Sequence, residues 1–465
     1  MPANTTLRID KLVLSSFRCF TDIAVDFDPT LTVLVADNAQ GKTALLNAIS
    51  IALDVFVFAI GDNKQCLEFV RSDIHRARED GGNMVLAPIV KFSAQGFAES
   101  HALTWGRSLS SHSPLARNSR KDVKPMREAA ESMRAQLDDS GTQTPLTLPS
   151  VAFYGTGRLW DEHRLTEGKR WLATARPSRF SAYLDCLSPS SSFKTFATWY
   201  EETANALRSS TDKTRGSQEK PETLLAAVRK AVEVVLKPTG WTKIDWEFPA
   251  LDENMHPQGR GHLAVEHDSR GRLPLSMMSD GVRNMVALVG DLAHRCARLN
   301  PHFGEDAASR TPGILLIDEI DMHLHPGWQQ LVVGLLQEAF PAMQMVLTTH
   351  SPQVLTTVRK EHIRMIVCDK NGKWSADMPL HSPLGHEPGD ALAFVMGVDA
   401  MPPLDILDDV QDYEQWARAG KTNSIEALGI LSRLNQAGFE FNDAQKALFA
   451  FLSAKLAREQ ELKNG

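Results

Sequence analysis

Residues 36–48, ADNAQGKTALLNA, place Gly41, Lys42 and Thr43 where an apolar run gives way to a helical pattern. A glycine, an ammonium and a hydroxyl in that order can grip a chain of phosphates. Backbone N–H groups of Ala36, Asn38, Ala39, Gln40, Gly41 and Ala44 would wrap the oxygens, with the following helix adding its dipole. Lys42 would reach the terminal phosphates, and the Thr43 hydroxyl would hold a magnesium ion. Ala36 stands where such loops usually open with glycine, which an alanine can replace if its φ is negative. The competing reading is an ordinary helix start that contains Gly-Lys-Thr.

Three further stretches bear on that choice. In ILLIDEIDMHLHP (314–326), an apolar strand delivers Asp318 and Glu319 at its end, about 275 residues after Thr43. Asp318 would hold the magnesium ion and Glu319 would polarise an attacking water. His350 closes the apolar strand MQMVLTTH, so it belongs at the same sheet edge, where it can meet a terminal phosphate. Ser279 and Gly281 open the helical stretch SDGVRNMVALVGDLA. A serine hydroxyl with helix-terminal amides suits an anion. Lying before the Asp-Glu strand, this segment can be offered across a dimer; its plainer reading is an N-cap. His323 and His325 lack a third ligand and read as structural.

Continuous apolar runs at LTVLVA, PSVAFY, GILLID and MQMVLTTH predict strands covered on both faces. LRIDKLVLSSFRCFTDIAVDF alternates and predicts two strands with a short turn, and residues 86–108 predict a hairpin turning near Gly96. From residue 381 onward the pattern is helical. The expected domains are a first lobe (1–160), an inserted helical and small β subdomain (161–270), a second lobe (271–380) and an acidic helical region (381–465).

The chain has 465 residues, 43% of them apolar and 23% charged, in the range of globular proteins. It contains no run of eighteen apolar residues and no signal-peptide core, so no membrane partner is expected and a cytoplasmic location is. Five scattered cysteines without CxxC spacing fit a reducing compartment and exclude a zinc site. Net charge is −7, and residues 381–465 carry 13 acidic against 7 basic residues. That balance suits a basic protein partner better than nucleic acid, with a solvated helical surface as the equal alternative reading. Arg117, Arg120, Lys121, Lys124 and Arg127 form the best basic patch, more in keeping with a solvated loop than with a DNA surface.

Together the four motifs, in this order and with HLHP and TTHSP, resemble an ABC-type ATPase head of the RecF, SMC and OLD-like branch. The opening SFRCF resembles that branch's first-strand motif and brings Arg18 into the site. YGTGRLW, FSAYLDCLSPSSSFKTFATWY and SDGVRNMVALVGDLAHR resemble the AAA-family ATPases of Septu and retron-associated antiphage systems. The resemblance implies an α/β P-loop NTPase fold of the ABC-ATPase head type, with an inserted mostly helical subdomain and a C-terminal helical extension. It implies ATP and Mg²⁺ as cofactors, a homodimer sharing its ATP sites, and regulation of a separate HNH nuclease. Nucleic acid, DNA or retron RNA/DNA, would be met through the partner complex. The rivals are a RecF-like ATPase that binds DNA directly and a non-hydrolysing nucleotide-dependent scaffold. The glutamine usual between strand and helix in this fold has no obvious counterpart; Arg158 occupies its neighbourhood.

Overall fold

The computed structural model describes residues 7–62, 66–78, 83–99, 101–112, 122–138, 145–158, 178–189, 193–209, 221–252, 257–258, 261–399 and 401–464. Its centre is a six-stranded sheet in the order Trp374–Asp377, Ile363–Cys368, Leu31–Val35, Met343–Thr348, Gly313–Ile317 and Ser150–Tyr154. All neighbours are parallel except the antiparallel edge strand Trp374–Asp377. Parallel strands need covering on both faces, and alternate side chains of the apolar runs serve the two sides. Leu34, Ile314, Leu316 and Val346 pack toward one core; Val33, Val35, Leu315, Ile317, Met345 and Leu347 pack toward the other.

The first core holds helix Lys42–Ile60 and a four-stranded antiparallel sheet, ordered Phe20–Asp26, Leu7–Phe17, Ile89–Ala98 and His101–Ser110. That helix is long and apolar enough to cross a membrane, and most of it is buried inside the protein. Gln344, buried on the central sheet, joins the two sheets. Its Nε2 donates to the Ile9 carbonyl at 2.7 Å, and its Oε1 accepts from the Ile9 N–H at 3.0 Å. The hairpin expected to turn near Gly96 turns instead between Ala98 and His101. Gly96 lies within the strand, where a Cβ would sit 2.0 Å from the Arg8 carbonyl oxygen, so close backbone approach is what requires glycine there.

The second core gathers helices Pro221–Leu236, Asp280–Leu299 and Val332–Ala339, with the small sheet Trp241–Glu247, His262–His267 and Gly271–Pro274. A buried polar network ties the long helix Asp280–Leu299 to the central sheet. The Tyr154 hydroxyl and Arg295 Nε both donate to Asp291 Oδ2 at 2.8 Å, and Arg295 Nη1 donates to the carbonyls of Ala182 and Leu184. Burial works against the Arg295 charge, but Asp291, Tyr154 and Cys186 together outweigh it and hold the guanidinium above its ordinary pKa.

Residues 1–398 form one compact unit and residues 399–465 a second, so 381–398 lie with the first. The second unit packs helices Ile406–Arg418, Ile425–Gln436 and Asp443–Asn464 around Tyr413, Phe441 and Phe449. Of the basic patch, Arg117, Arg120 and Lys121 lie outside the described residues. Lys124 and Arg127 pair with Glu128 and Glu131 along their own helix, the arrangement of a solvated face.

Arg295→Met should lower the free energy of unfolding of the first unit by about 3–5 kcal/mol, because it removes the guanidinium paired with the buried Asp291 carboxylate. Urea titration followed by circular dichroism measures this.

Candidate functional site

The chain leaves the buried strand Leu31–Val35, loops through residues 36–41 and enters helix Lys42–Ile60. Gly41 caps the helix with φ = 87°, and a Cβ there would lie 2.5 Å from the Phe20 ring and 2.6 Å from Cys19 Sγ. The turn after strand Leu7–Phe17 therefore packs directly on the loop, and only glycine fits beneath it. Ala36 does not take a positive φ; Ala39 does, at 63°. The residue under backbone strain is thus Ala39, at about 1–2 kcal/mol, and the missing first glycine carries no such penalty. Asn38 and Ala39 are exposed and Ala44 is buried.

Lys42 is buried, and its Nζ donates to the carbonyls of Ala36 at 2.7 Å and Asp37 at 3.3 Å. The ammonium so folded back spans the mouth of the loop. Burial pushes its pKa below the usual lysine value, against the opposing pull of Asp318, Glu319, Asp37 and Asp321.

Thr43 Oγ1 donates to Asp318 Oδ2 at 2.7 Å, joining the loop to the end of strand Gly313–Ile317. Asp318 is buried, and its other oxygen accepts from the Thr348 hydroxyl at 2.6 Å. Thr348 Oγ1 in turn accepts the Glu319 N–H at 2.7 Å, while the Asp318 N–H donates to the Tyr154 carbonyl at 2.8 Å. Glu319 takes φ = 48°, a left-handed conformation that non-glycine residues hold where neighbouring contacts enforce it. Threonine hydroxyls, a carboxylate and an ammonium at one point make an oxygen-rich site for a hard cation beside a phosphate cradle.

His350 follows strand Met343–Thr348 at the same edge, and Asp321 fixes its backbone. Asp321 Oδ1 accepts from Thr349 Oγ1 at 2.5 Å and from the His350 N–H at 3.3 Å. Ser351 Oγ donates to Gln329 Oε1 at 2.7 Å, and Gln329 Nε2 donates to the Leu324 carbonyl at 2.9 Å. Thr348, Asp321, Gln329 and Ser351 were not legible as site residues, apart from the run of hydroxyls in LTTHSP. His325 Nδ1 accepts the Gly327 N–H and caps the short helix after it. Among the described residues no group of three or more His, Cys, Asp or Glu side chains is placed to hold a metal ion.

Ser279 precedes helix Asp280–Leu299, is exposed and makes no capping hydrogen bond. Gly281 packs against the Asp-Glu loop of its own chain: a Cβ would lie 2.6 Å from the His323 carbonyl oxygen. Arg18, φ = 50°, sits in the turn that covers Gly41, and its Nε donates to Asp73 Oδ1 at 2.9 Å.

Two family models match the chain: "AAA domain" over residues 11–224, and "AAA domain, putative AbiEii toxin, Type IV TA system" over residues 212–356. The Retron Vc95 probable ATPase of Vibrio cholerae serotype O1 biovar El Tor is 26% identical over 454 residues, spanning 90% of this chain and 85% of the relative. The Septu protein PtuA of Bacillus mycoides (strain KBAB4) is 31% identical over 137 residues, 29% of this chain and 18% of that protein. A crystal structure of an Smc head bound to the C-winged helix domain of ScpA matches with a TM-score of 0.46 at 14% identity, covering 79% of this chain and 97% of that one. The fold and site define an ABC-type ATPase. Within that class the chain is related to the retron and Septu proteins.

Thr348→Val keeps the buried shape but removes the hydroxyl that donates to Asp318 Oδ1 and accepts the Glu319 N–H. Loss of a hydrogen bond to a charged group should slow ATP turnover by about tenfold to a hundredfold. Steady-state phosphate release with purified protein is the measurement.

Proposed function

We propose that this chain is the ATP-binding and ATP-hydrolysing switch subunit of a bacterial antiphage defence system of the retron or Septu type. The observation that carries the reading is the 2.7 Å contact of Thr43 with buried Asp318, two residues 275 positions apart in sequence. Such a contact brings the two halves of a triphosphate site to one point. Mg²⁺ held there by the Thr43 hydroxyl and the Asp318 carboxylate would offset the charge of the phosphates.

The residues of the chain divide the remaining work. Backbone N–H groups of the 36–44 segment cradle the phosphates, and Lys42 exchanges its loop carbonyls for the β- and γ-phosphate oxygens. Glu319, a carboxylate held at the strand end, accepts the proton of the attacking water. His350, positioned by Asp321, contacts the γ-phosphate. Arg18 lies at the nucleoside side of the loop, across the turn that covers Gly41.

Ser279 and Gly281 serve the ATP of a second copy. An exposed serine with an uncommitted hydroxyl at the start of a long helix is the geometry a trans contact needs. ATP then favours the closed dimer because only that form uses both halves of each site. The partner switched by closure is an HNH nuclease, consistent with the chain's likeness to a Septu protein. Residues 399–465 are its docking unit: they have their own core, an acidic surplus, and exposed apolar side chains at Ile425, Leu428 and Phe451. The five thiols, all free, fit work in the reducing cytoplasm.

A mixing experiment tests the shared site. Lys42→Ala and Ser279→Arg chains should each lack ATPase activity alone. Mixed, they should recover part of it, because one hybrid site takes its phosphate loop and its serine segment from intact halves. Ser279→Arg hydrolysing ATP alone at the wild-type rate contradicts the shared site. A chain ending at Val398 should bind ATP normally yet fail to co-purify with the proposed HNH nuclease partner, which the full chain retains; undiminished co-purification removes residues 399–465 from the docking role.

A further inference from the structure

Gln329 joins the segment after strand Met343–Thr348 to the loop that follows the Asp-Glu pair. Carbonyl oxygens only accept hydrogen bonds, so the end of its carboxamide that faces the carbonyls of Leu324 and Asp321 is the NH₂, at 2.9 and 3.3 Å. The amide oxygen then faces Ser351 and accepts its hydroxyl at 2.7 Å. Ser351 is buried and directly follows His350. We infer that Gln329 is a positioning residue that makes the start of helix Asp280–Leu299 respond to the γ-phosphate. The inference rests on the ATP reading above and adds to it the link by which nucleotide state leaves the site.

Asp321 and Gln329 hold opposite ends of the loop. Asp321 Oδ1 accepts from Thr349 Oγ1 and from the His350 N–H, which anchors the beginning. Gln329 anchors the far end, and the far end is what meets the long helix. A Cβ on Gly281 would lie 2.6 Å from the His323 carbonyl oxygen and 3.5 Å from Leu324 Cδ2. Helix start and loop are in close contact, so a shift of one displaces the other or breaks their packing.

The loop is also strained. Glu319 and His323 have φ of 48° and 62°, left-handed values that cost energy and persist only where neighbouring contacts enforce them. The two carbonyls that Gln329 holds straddle His323. When a γ-phosphate draws His350, Ser351 moves with it, and its bond to Gln329 carries the displacement to the backbone beneath Gly281. Glutamate cannot stand in for this side chain. Its carboxylate would keep the Ser351 bond but set a negative oxygen against two carbonyls.

Hydrogen exchange read by mass spectrometry tests this in the full-length Ser279→Arg chain, whose blocked trans contact leaves only effects within one subunit. Magnesium ATP, compared with magnesium ADP, should slow exchange over residues 349–355 and over 281–286. Gln329→Leu and Gln329→Glu should each keep the difference at 349–355 and cut that at 281–286 by about tenfold, within the range of coupling between sites. Ser351→Ala cuts the link at its other end and should give the same loss, adding nothing further when combined with Gln329→Leu. Ser351→Thr, which keeps the hydroxyl, should retain the coupling. An undiminished ATP–ADP difference at 281–286 in both Gln329 variants overturns the inference, even if exchange is faster with both nucleotides, as a purely structural role would make it. Loss of the difference at 349–355 as well also overturns it. If the parent shows no ATP-dependent change at 36–44 or 349–355, the ATP reading fails and this inference falls with it. Changes there without any at 281–286 overturn the inference alone.

Discussion

A buried carboxylate at the end of a parallel strand is the constraint on which the rest of the structure turns. Asp318 is almost fully removed from water, a costly place for a charge unless its oxygens are satisfied. Two hydroxyls satisfy them, Thr43 from the phosphate-loop helix and Thr348 from the neighbouring strand. Each hydroxyl binds its own element to the Asp-Glu strand, so loop, switch strand and acidic pair cannot move independently. The same Thr348 hydroxyl takes up the Glu319 N–H, which fixes the left-handed turn that presents Glu319.

From that point order spreads through packed contacts. The Tyr154 carbonyl receives the Asp318 N–H, and the Tyr154 hydroxyl reaches Asp291 on the helix that begins at Ser279. Burial and Asp291 together keep that phenol protonated, its pKa well above the ordinary tyrosine value. Near the start of the helix, Gly281 lies against the carbonyl of His323, a few residues beyond Glu319. The helix is therefore held at its start and at its middle by elements next to the candidate phosphate site. A helix held in this way moves with the site, the physical requirement for a switch in which one copy's nucleotide state is offered to another.

The parts of the fold set by local pattern were legible in the sequence. Four apolar runs became four adjacent strands, and the alternating N-terminal stretch became two strands with a two-residue turn. The chemistry-bearing residues at strand ends and at the helix start were legible for the same reason, since an apolar run followed by polar residues marks a sheet edge. What could not be read there depends on φ angles and on distant neighbours. Gly96 looked like a turn and is a point of close backbone approach. Ala36 looked like the weak position of the loop, and Ala39 bears the strain. The ring of Asp321, Thr349, Ser351 and Gln329 joins three segments that only the fold brings together.

The central claim, that ATP is shared between two copies of this chain, is tested most directly by the solution mass of the Glu319→Gln protein with and without magnesium ATP. An amide in place of the carboxylate cannot take the proton from water, so bound ATP persists. Light scattering should show a monomer mass without nucleotide and twice that mass at saturating ATP, falling back when Ser279→Arg is added to the same chain. A monomer mass with ATP demonstrably bound would contradict the account.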